Sequence, residues 1–449
     1  MIRKGKKETV YSLAFSLLSK VGAYLLLLIL ANLFTKSEFG RASFVLSVYN
    51  MTFLFAFLGL STIFSVWYIK KKDYHSVFYF LAILTFIATI VWAIISLNYP
   101  WILPFALCLP LMFLYHLADA ILKSKYKYHI SQLISALFVF IVALSLILVN
   151  PTKGGIIFAY AIGYIITSVW FIMLTRKEIY KIASKARIKF RAIKEYMLKG
   201  TVTTLIILSF SFLGWIDSTI LGLLSTFENV AVYSIAGPIS NILTLIPFSL
   251  GSFLVIRISK IKDKGVAKSL LNRVLRVSYT FSIIAAIALV AFLGLIFKIF
   301  FPAYAGNEIY SMILIIGILL YGIYFLVYNY SLGKLNPEKG LLPIATAAVV
   351  NIILDIILIP KFGLYGITAA TTLAHLVAFV WLLQKTEMLK ENIKMLIPLI
   401  FIPVAFFMSY FGLILIPLCI IFLIKTKLIQ GDDIKVIKET LFEMVRIKR

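Results

Sequence analysis

"FLGWIDSTILGLLSTFENVAVYSIAGPISNIL", residues 212–243, decides how the rest of the chain is read. An apolar run carrying one carboxylate, Asp217, stops at the short polar turn "STFEN" (225–229), and a second apolar run begins at once. A bilayer core needs about 20 predominantly apolar residues per helical crossing. The segment therefore reads as one span, a turn and a second span.

That signal repeats along the 449 residues. Hydrophobic types make up 62% of the chain and charged types only 14%, against about a quarter charged in soluble domains. No soluble core could hide so much apolar surface, so the chain is an all-α polytopic membrane protein. Hydropathy places spans near 9–34, 42–69, 76–97, 101–122, 130–149 and 155–175, then 200–224, 230–256, 274–300, 309–332, 341–360 and 363–384. The basic N-terminal stretch resembles the start of a signal peptide, but its apolar run is too long and lacks a small-residue cleavage site, so it reads as the first span. The segment 395–424 reads either as one long tilted helix or as a hairpin turning at "SYFG".

Charge separates these alternatives. With the N-terminus inside, 38 of the 44 Lys and Arg residues fall on the inner side. They include Lys70, Lys71 and Lys72. Lys36, Arg41, Lys153, Lys298 and Lys361 fall outside, and Lys20 alone lies within a span. Basic residues collect in cytoplasmic loops, so this asymmetry orients the chain and accounts for its net charge of +26 without a nucleic-acid partner. Lys394 and Lys425 both flank 395–424, which favours the hairpin. The expectation is 14 transmembrane helices, N-in and C-in, in the cytoplasmic membrane.

The boundaries follow. Residues 1–175 form an N-terminal six-helix lobe, and 176–199 a basic, amphipathic cytoplasmic linker. Residues 200–386 form a second six-helix lobe, 387–426 a two-helix hairpin, and 427–449 a basic cytoplasmic tail. In the linker, Ile179, Ile182, Ala183 and Ala186 follow helical spacing. The tail repeats this through Ile434, Ile437, Leu441 and Val445. Both stretches are expected to lie apolar side down on the inner leaflet, against anionic lipid headgroups. "LFTKSEFGRASFVLSVYN" after span one and "LLSTFENVAVYSIAGPIS" after span seven echo one another, with Glu38 and Glu228 in corresponding turns. Six spans separate them, so the lobes form a parallel pseudo-repeat, an arrangement that places substrate paths at the repeat interface.

The motifs narrow the family. "IDSTILGLLSTFENVAVYSIA" resembles a segment of the Wzx-type polysaccharide and O-antigen lipid flippases of the multidrug/oligosaccharidyl-lipid/polysaccharide exporter superfamily. Asp217, Leu221–Gly222, Glu228 and Tyr233–Ser234–Ile235–Ala236 match in order. "NIILDIILIPKFGLYGITAATTLAHLVAF" resembles a second family signature through Asn351, Ile359–Pro360, Gly363, Gly366, Ala370 and Thr371. "FTKSEFGRASFVLSV" is close to the family's first outer turn, while Ala231, in the 217–236 segment, departs from the family, which usually has Gly there. The resemblance implies a transporter whose substrate is an oligosaccharide joined by diphosphate to a polyprenol. A related multidrug or lipid-intermediate exporter is the alternative.

Such a substrate must carry a diphosphate through hydrocarbon, so ionisable residues inside spans are the candidates for its site. Lys20, in mid-span, is expected either to bind the diphosphate or to pair with a carboxylate on another helix. Asp217 is placed to bind a coupling Na⁺ or H⁺, to accept sugar hydroxyls, or to bond a neighbouring helix. Asp355 has Asn351 one turn before it on the same face, in an outer vestibule or a helix interface. His116 and Asp119, near Lys123, form either a cytoplasmic gate or an interfacial charge cluster. Asn241 and His375 are candidate cavity and coupling residues that also suit interhelical hydrogen bonding.

No cofactor is expected. The two cysteines, Cys108 and Cys419, stand apart in apolar runs, with no metal-ligand spacing. There is no phosphate-binding "GxxxxGK[ST]", no HExxH and no nucleophile elbow. A membrane glycosyltransferase or ligase would need a large outer loop, and every outer loop expected here is short. The sequence reads as a secondary-type transporter, not an enzyme.

Overall fold

The computed structural model describes residues 2–57, 64, 68, 74–125, 127–148, 153–184, 188–334 and 337–430. These are helical, with short connections and no strands among them. Lys70–Lys72, Ala186, the 58–63 part of expected span two and the tail residues Ile434 to Val445 lie outside this set.

The first helices are α1 (Ile2–Leu33), α2 (Lys36–Phe57), α3 (Tyr74–Asn98), α4 (Leu103–Ser124), α5 (Tyr128–Leu148), α6 (Lys153–Ala183) and α7 (Phe190–Leu224). Next come α8 (Phe227–Asn241), α9 (Leu245–Lys260), α10 (Lys264–Ala291), α11 (Leu293–Phe300), α12 (Glu308–Gly333), α13 (Pro337–Phe362) and α14 (Leu364–Lys385). The last are α15 (Leu389–Asn392), α16 (Phe401–Met408) and α17 (Leu415–Lys425).

Sequence chemistry sets several boundaries. At the start of α2 the Thr35 amide donates to Glu38 Oε2 (3.3 Å) and the Glu38 amide donates to Thr35 Oγ1 (3.3 Å), a reciprocal capping box. At α8 the Asn229 amide donates to Thr226 Oγ1 (3.3 Å). The two echoing turns thus open with the same device, a threonine side chain accepting from the third helical amide. Asp263 caps α10 by accepting from the Val266 amide at 2.7 Å.

Among the described residues, ten helical segments are long and apolar enough to cross a membrane, and Leu18–Leu33 and Trp215–Leu224 are shorter apolar helices. Their surfaces agree with a lipid solvent. On α3, Ile83, Phe86, Ile87, Ile90 and Ile94 form an exposed stripe, while Val77, Phe78, Leu81 and Trp92 are buried. A soluble protein rarely shows so continuous an apolar face. The chain is a multi-pass membrane protein.

It divides into two compact units. The first comprises Met1–Gly222 with Thr226–Ala231, and the second Leu223–Ser225 with Val232–Arg449. In the first, α1 packs on α5, α4 on α6, and α3 on α4. In the second, α14 packs on α13 and α12, and α12 also receives α9 and α10.

The stretch 176–199 is not a separate surface helix among the described residues, because α6 runs to Ala183 and α7 starts at Phe190. Part of its apolar side is taken up by protein. Ile179 packs against the cluster Ala118, Leu122, Ile134 and Phe171, and Ile182 is buried. The Ile182 carbonyl lies 2.8 Å from His75 Nδ1, and Tyr79 donates its hydroxyl to the Ala183 carbonyl. Tyr180, Ile188, Phe190 and Leu198 stay exposed, so apolar surface remains on this stretch beside the part that protein covers.

Residues 393–400 form a 3₁₀ stretch leading into α16. Ser409 then adopts a left-handed φ of 54°. A second 3₁₀ stretch, 409–414, packs back on α16, and α17 contacts 393–400. The chain therefore reverses at the "SYFG" turn.

Candidate functional site

Lys20 sits on α1, whose Gly22 backs onto Val139 and Phe140 of α5, with 3.3 Å available to a Cβ there. Two residues along a helix turn it by about 200°, so Lys20 lies on nearly the opposite side of α1. It is exposed, and no carboxylate pairs with it among the described residues. A lysine in an apolar helix is tolerated when it reaches water, a headgroup or an anion.

Asp217 lies on α7 and is fully buried. Two residues on, Thr219 faces α2, its hydroxyl 2.9 Å from Ser47 Oγ. Asp217 therefore projects from the side of α7 turned away from α2. A carboxylate shut from water is held by a cation or a donor side chain.

In the second unit, Asn351 Nδ2 donates to Asp355 Oδ2 at 2.7 Å, one turn apart on α13, and both residues are fully buried. His375 on α14 is also buried. Its Nδ1 is 3.1 Å from the Tyr324 hydroxyl on α12, and its ring stacks on Tyr321 at 5.1 Å. Thr372 donates to the Ile313 carbonyl at 2.9 Å alongside. The His375 arrangement is an interhelical polar joint in a bundle with no apolar driving force between helices. Asn241, at the end of α8, is exposed, with the 3₁₀ turn Ile242–Thr244 following it.

His116 and Asp119 remain in one cluster. Lys123 donates to Asp119 at 2.6 Å, and Ser131 on α5 donates to the other carboxylate oxygen. The His116 ring packs 5.7 Å from Phe57. The cluster ties α4 to α5 at the end of the bundle where Lys125 pairs with Glu178 of α6.

Two features were invisible in the sequence pattern. Tyr49 is buried on α2, its hydroxyl 3.1 Å from the Phe105 carbonyl and 3.0 Å from Met112 Sδ, with its ring stacked on Phe105. Aromatics in spans read by default as interfacial belts, so nothing marked this one as a core joint. The second is a polar cavity of about 280 Å³ whose lining includes Asn272, Arg276, Glu391, Asn392, Lys394 and Lys427. Its basic residues were visible only as inner-side charges, counted one by one.

Helices, apolar surfaces and buried span carboxylates together define the class: a polytopic helical membrane protein. Its fold is that of Lipid II flippase MurJ in an inward closed conformation, with a TM-score of 0.73, 19% identity, and coverage of 94% of this chain and 97% of that one. It is also similar to an inward-facing multidrug resistance MATE family transporter of the MOP superfamily (TM-score 0.59, 15% identity, 85% and 99% covered). A MATE structure in the straight conformation gives 0.54 at 14% identity, covering 86% of this chain and 97% of that one. In sequence, the chain is 30% identical over 189 residues to Uncharacterized membrane protein MJ1068 of Methanocaldococcus jannaschii, a stretch that spans 38% of this chain and 36% of that protein. No family model matches.

Proposed function

We propose that the chain is a flippase moving polyprenyl-diphosphate-linked oligosaccharide, an intermediate of polysaccharide biosynthesis, across the cytoplasmic membrane. Its 14 spans run N-in and C-in. The ten long apolar segments are joined by the two shorter ones, by α2, and by the hairpin counted as two. The six-helix lobes 1–175 and 200–386 work by alternating access, with a Na⁺ or H⁺ gradient coupled through Asp217.

The observation that carries this reading is Lys20: an exposed cation in an apolar helix, unpaired with any described carboxylate, on the side of α1 turned from α5. A diphosphate crossing hydrocarbon needs such a group, because a bare anion there costs many kcal/mol. Likeness of fold to a lipid flippase over 94% of the chain supports the same reading. The MATE likeness favours a second reading, a multidrug or lipid-intermediate exporter. A cationic drug would be repelled by Lys20, which weighs against it.

The test is translocation of a fluorescent polyprenyl-diphosphate disaccharide in proteoliposomes. Lys20→Ala abolishes transfer while keeping expression and elution profile, and Lys20→Arg retains it. Full transfer by Lys20→Ala, or transfer of cationic dyes in place of the glycolipid, overturns the proposal.

A further inference from the structure

The cavity in the second unit lies where three span ends meet. Arg276 is the last charged residue before the apolar stretch of α10, which continues without charge until Lys298. Lys394 is the last charge before the uncharged run 395–424, and Lys425 and Lys427 are the first after it. Arg276, Lys394 and Lys427 all line the cavity. Three cations thus converge at the depth where hydrocarbon gives way to headgroups.

The walls are built rather than incidental. Asn272 donates to the Glu391 carboxylate, and Asn392 Nδ2 donates to Asn272 Oδ1 at 3.2 Å and to the Met388 carbonyl at 3.0 Å. Asn392 is itself buried. One turn deeper, Tyr279 donates to the Met395 carbonyl at 2.5 Å, fastening α10 to the hairpin. Glu391, the one carboxylate among the described lining residues, has Lys268 Nζ 4.0 Å away, outside the cavity. Among the described lining residues three cations thus stand against one carboxylate. Lys427 holds a left-handed φ of 59° just past α17, a position that favours glycine or asparagine, and it lines the cavity.

We propose that this cavity is a binding site for a phosphate ester, the headgroup of an anionic glycerophospholipid of the inner leaflet. The guanidinium fork of Arg276 and the two ammonium groups suit phosphate oxygens. At about 280 Å³ the cavity sits at the lower edge of small-molecule pockets, about 300–1,000 Å³. That is room for phosphate with glycerol and not for an oligosaccharide. The site is separate from Lys20 and does not depend on the transport reading. Its occupant would bridge α10 and the hairpin, holding 393–400 and α17 at the membrane surface.

The experiment is native mass spectrometry of the delipidated full-length chain, titrated separately with dioleoylphosphatidylglycerol, dioleoylphosphatidylcholine, glycerol phosphate and inorganic phosphate. The parent is compared with Lys427→Asn, which removes a charge where asparagine accepts the backbone, and with Arg276→Gln/Lys394→Gln. Phosphatidylglycerol should give one tight adduct on the parent, weakened on the order of tenfold per removed cation, the scale of one charge-assisted hydrogen bond. Phosphatidylcholine, whose choline cation opposes the lining charge, should bind more weakly. Should the double variant fail to fold, Lys427→Asn alone decides. Equal phosphatidylglycerol binding by parent and variants overturns the site. Tight, substitution-sensitive binding of inorganic or glycerol phosphate without preference for the lipid keeps the phosphate site and overturns its lipid source.

Discussion

Replacing Gly366 by alanine tests the packing of the second unit at one atom. Gly366 is buried in the first turn of α14. A Cβ there would stand 2.6 Å from the Leu358 carbonyl carbon and 3.0 Å from the Ile359 nitrogen of α13. Both obstacles are backbone, so no side chain can swing aside, and the two helices must part. Overpacking costs about 1–3 kcal/mol, and a backbone obstacle puts this case in the upper half. For a unit of this size each kcal/mol moves the melting temperature by about 2–4 °C. Gly366→Ala should therefore melt about 4–12 °C below the parent. The assay is heating in detergent followed by fluorescence-detected size exclusion. Gly294→Ala is the matched control: nothing lies within 4 Å of the added Cβ, so it should be neutral or raise stability by up to about 1 kcal/mol. If Gly366→Ala melts with the parent, or if both substitutions shift it equally, the close approach of α13 and α14 is not a stability determinant and the reasoning fails.

Other consequences are testable on the same material. Asp217→Asn should leave glycolipid transfer independent of an imposed Na⁺ or H⁺ gradient, and transfer that still responds to the gradient removes Asp217 from coupling. Asp355→Leu deprives the buried Asn351 amide of its acceptor. It should cost about 1–3 kcal/mol, seen as a lower melting temperature, with Asp355→Asn closer to the parent. Tyr279→Phe strands the Met395 carbonyl and should lower stability by a similar amount, about 1–3 kcal/mol, while exposing 393–400 to faster hydrogen exchange. Asp119→Ala removes the acceptor shared by Lys123 and Ser131. Because the Lys123 side chain is 31% exposed, water rescues part of the loss. Ser131 and Asp119 are buried, so the cost should still be about 1–3 kcal/mol, and melting with the parent would contradict that.

Span-forming runs, the reversal at "SYFG" and the turn chemistry at Thr35–Glu38 and Thr226 could all be read from the chain. Each is a local property: hydropathy over about 20 residues, or a side chain reaching an amide three positions on. Local reading stops there: periodicity says that Ile179 and Ile182 share a face, but not that neighbouring helices cover them while Tyr180 and Phe190 stay exposed. The candidate residues divide in the same way. Asn351 and Asp355 are four apart on one helix, so their pairing was foreseeable. His375 with Tyr324 and Tyr321 was not, since its partners lie some 50 residues away on another helix.

The sequence by itself determined the solvent of this protein, since 62% hydrophobic residues in helix-length runs leave no choice but lipid. It also singled out Lys20 and Asp217, because a charge in an apolar run is conspicuous in one dimension. Only the tertiary structure decided that Lys20 turns away from α5, that Asp217 is shut from water, and that Arg276, Lys394 and Lys427 line one cavity. Those are facts about helix faces and span ends brought together over more than a hundred residues of chain. Hydropathy has no term for such proximity.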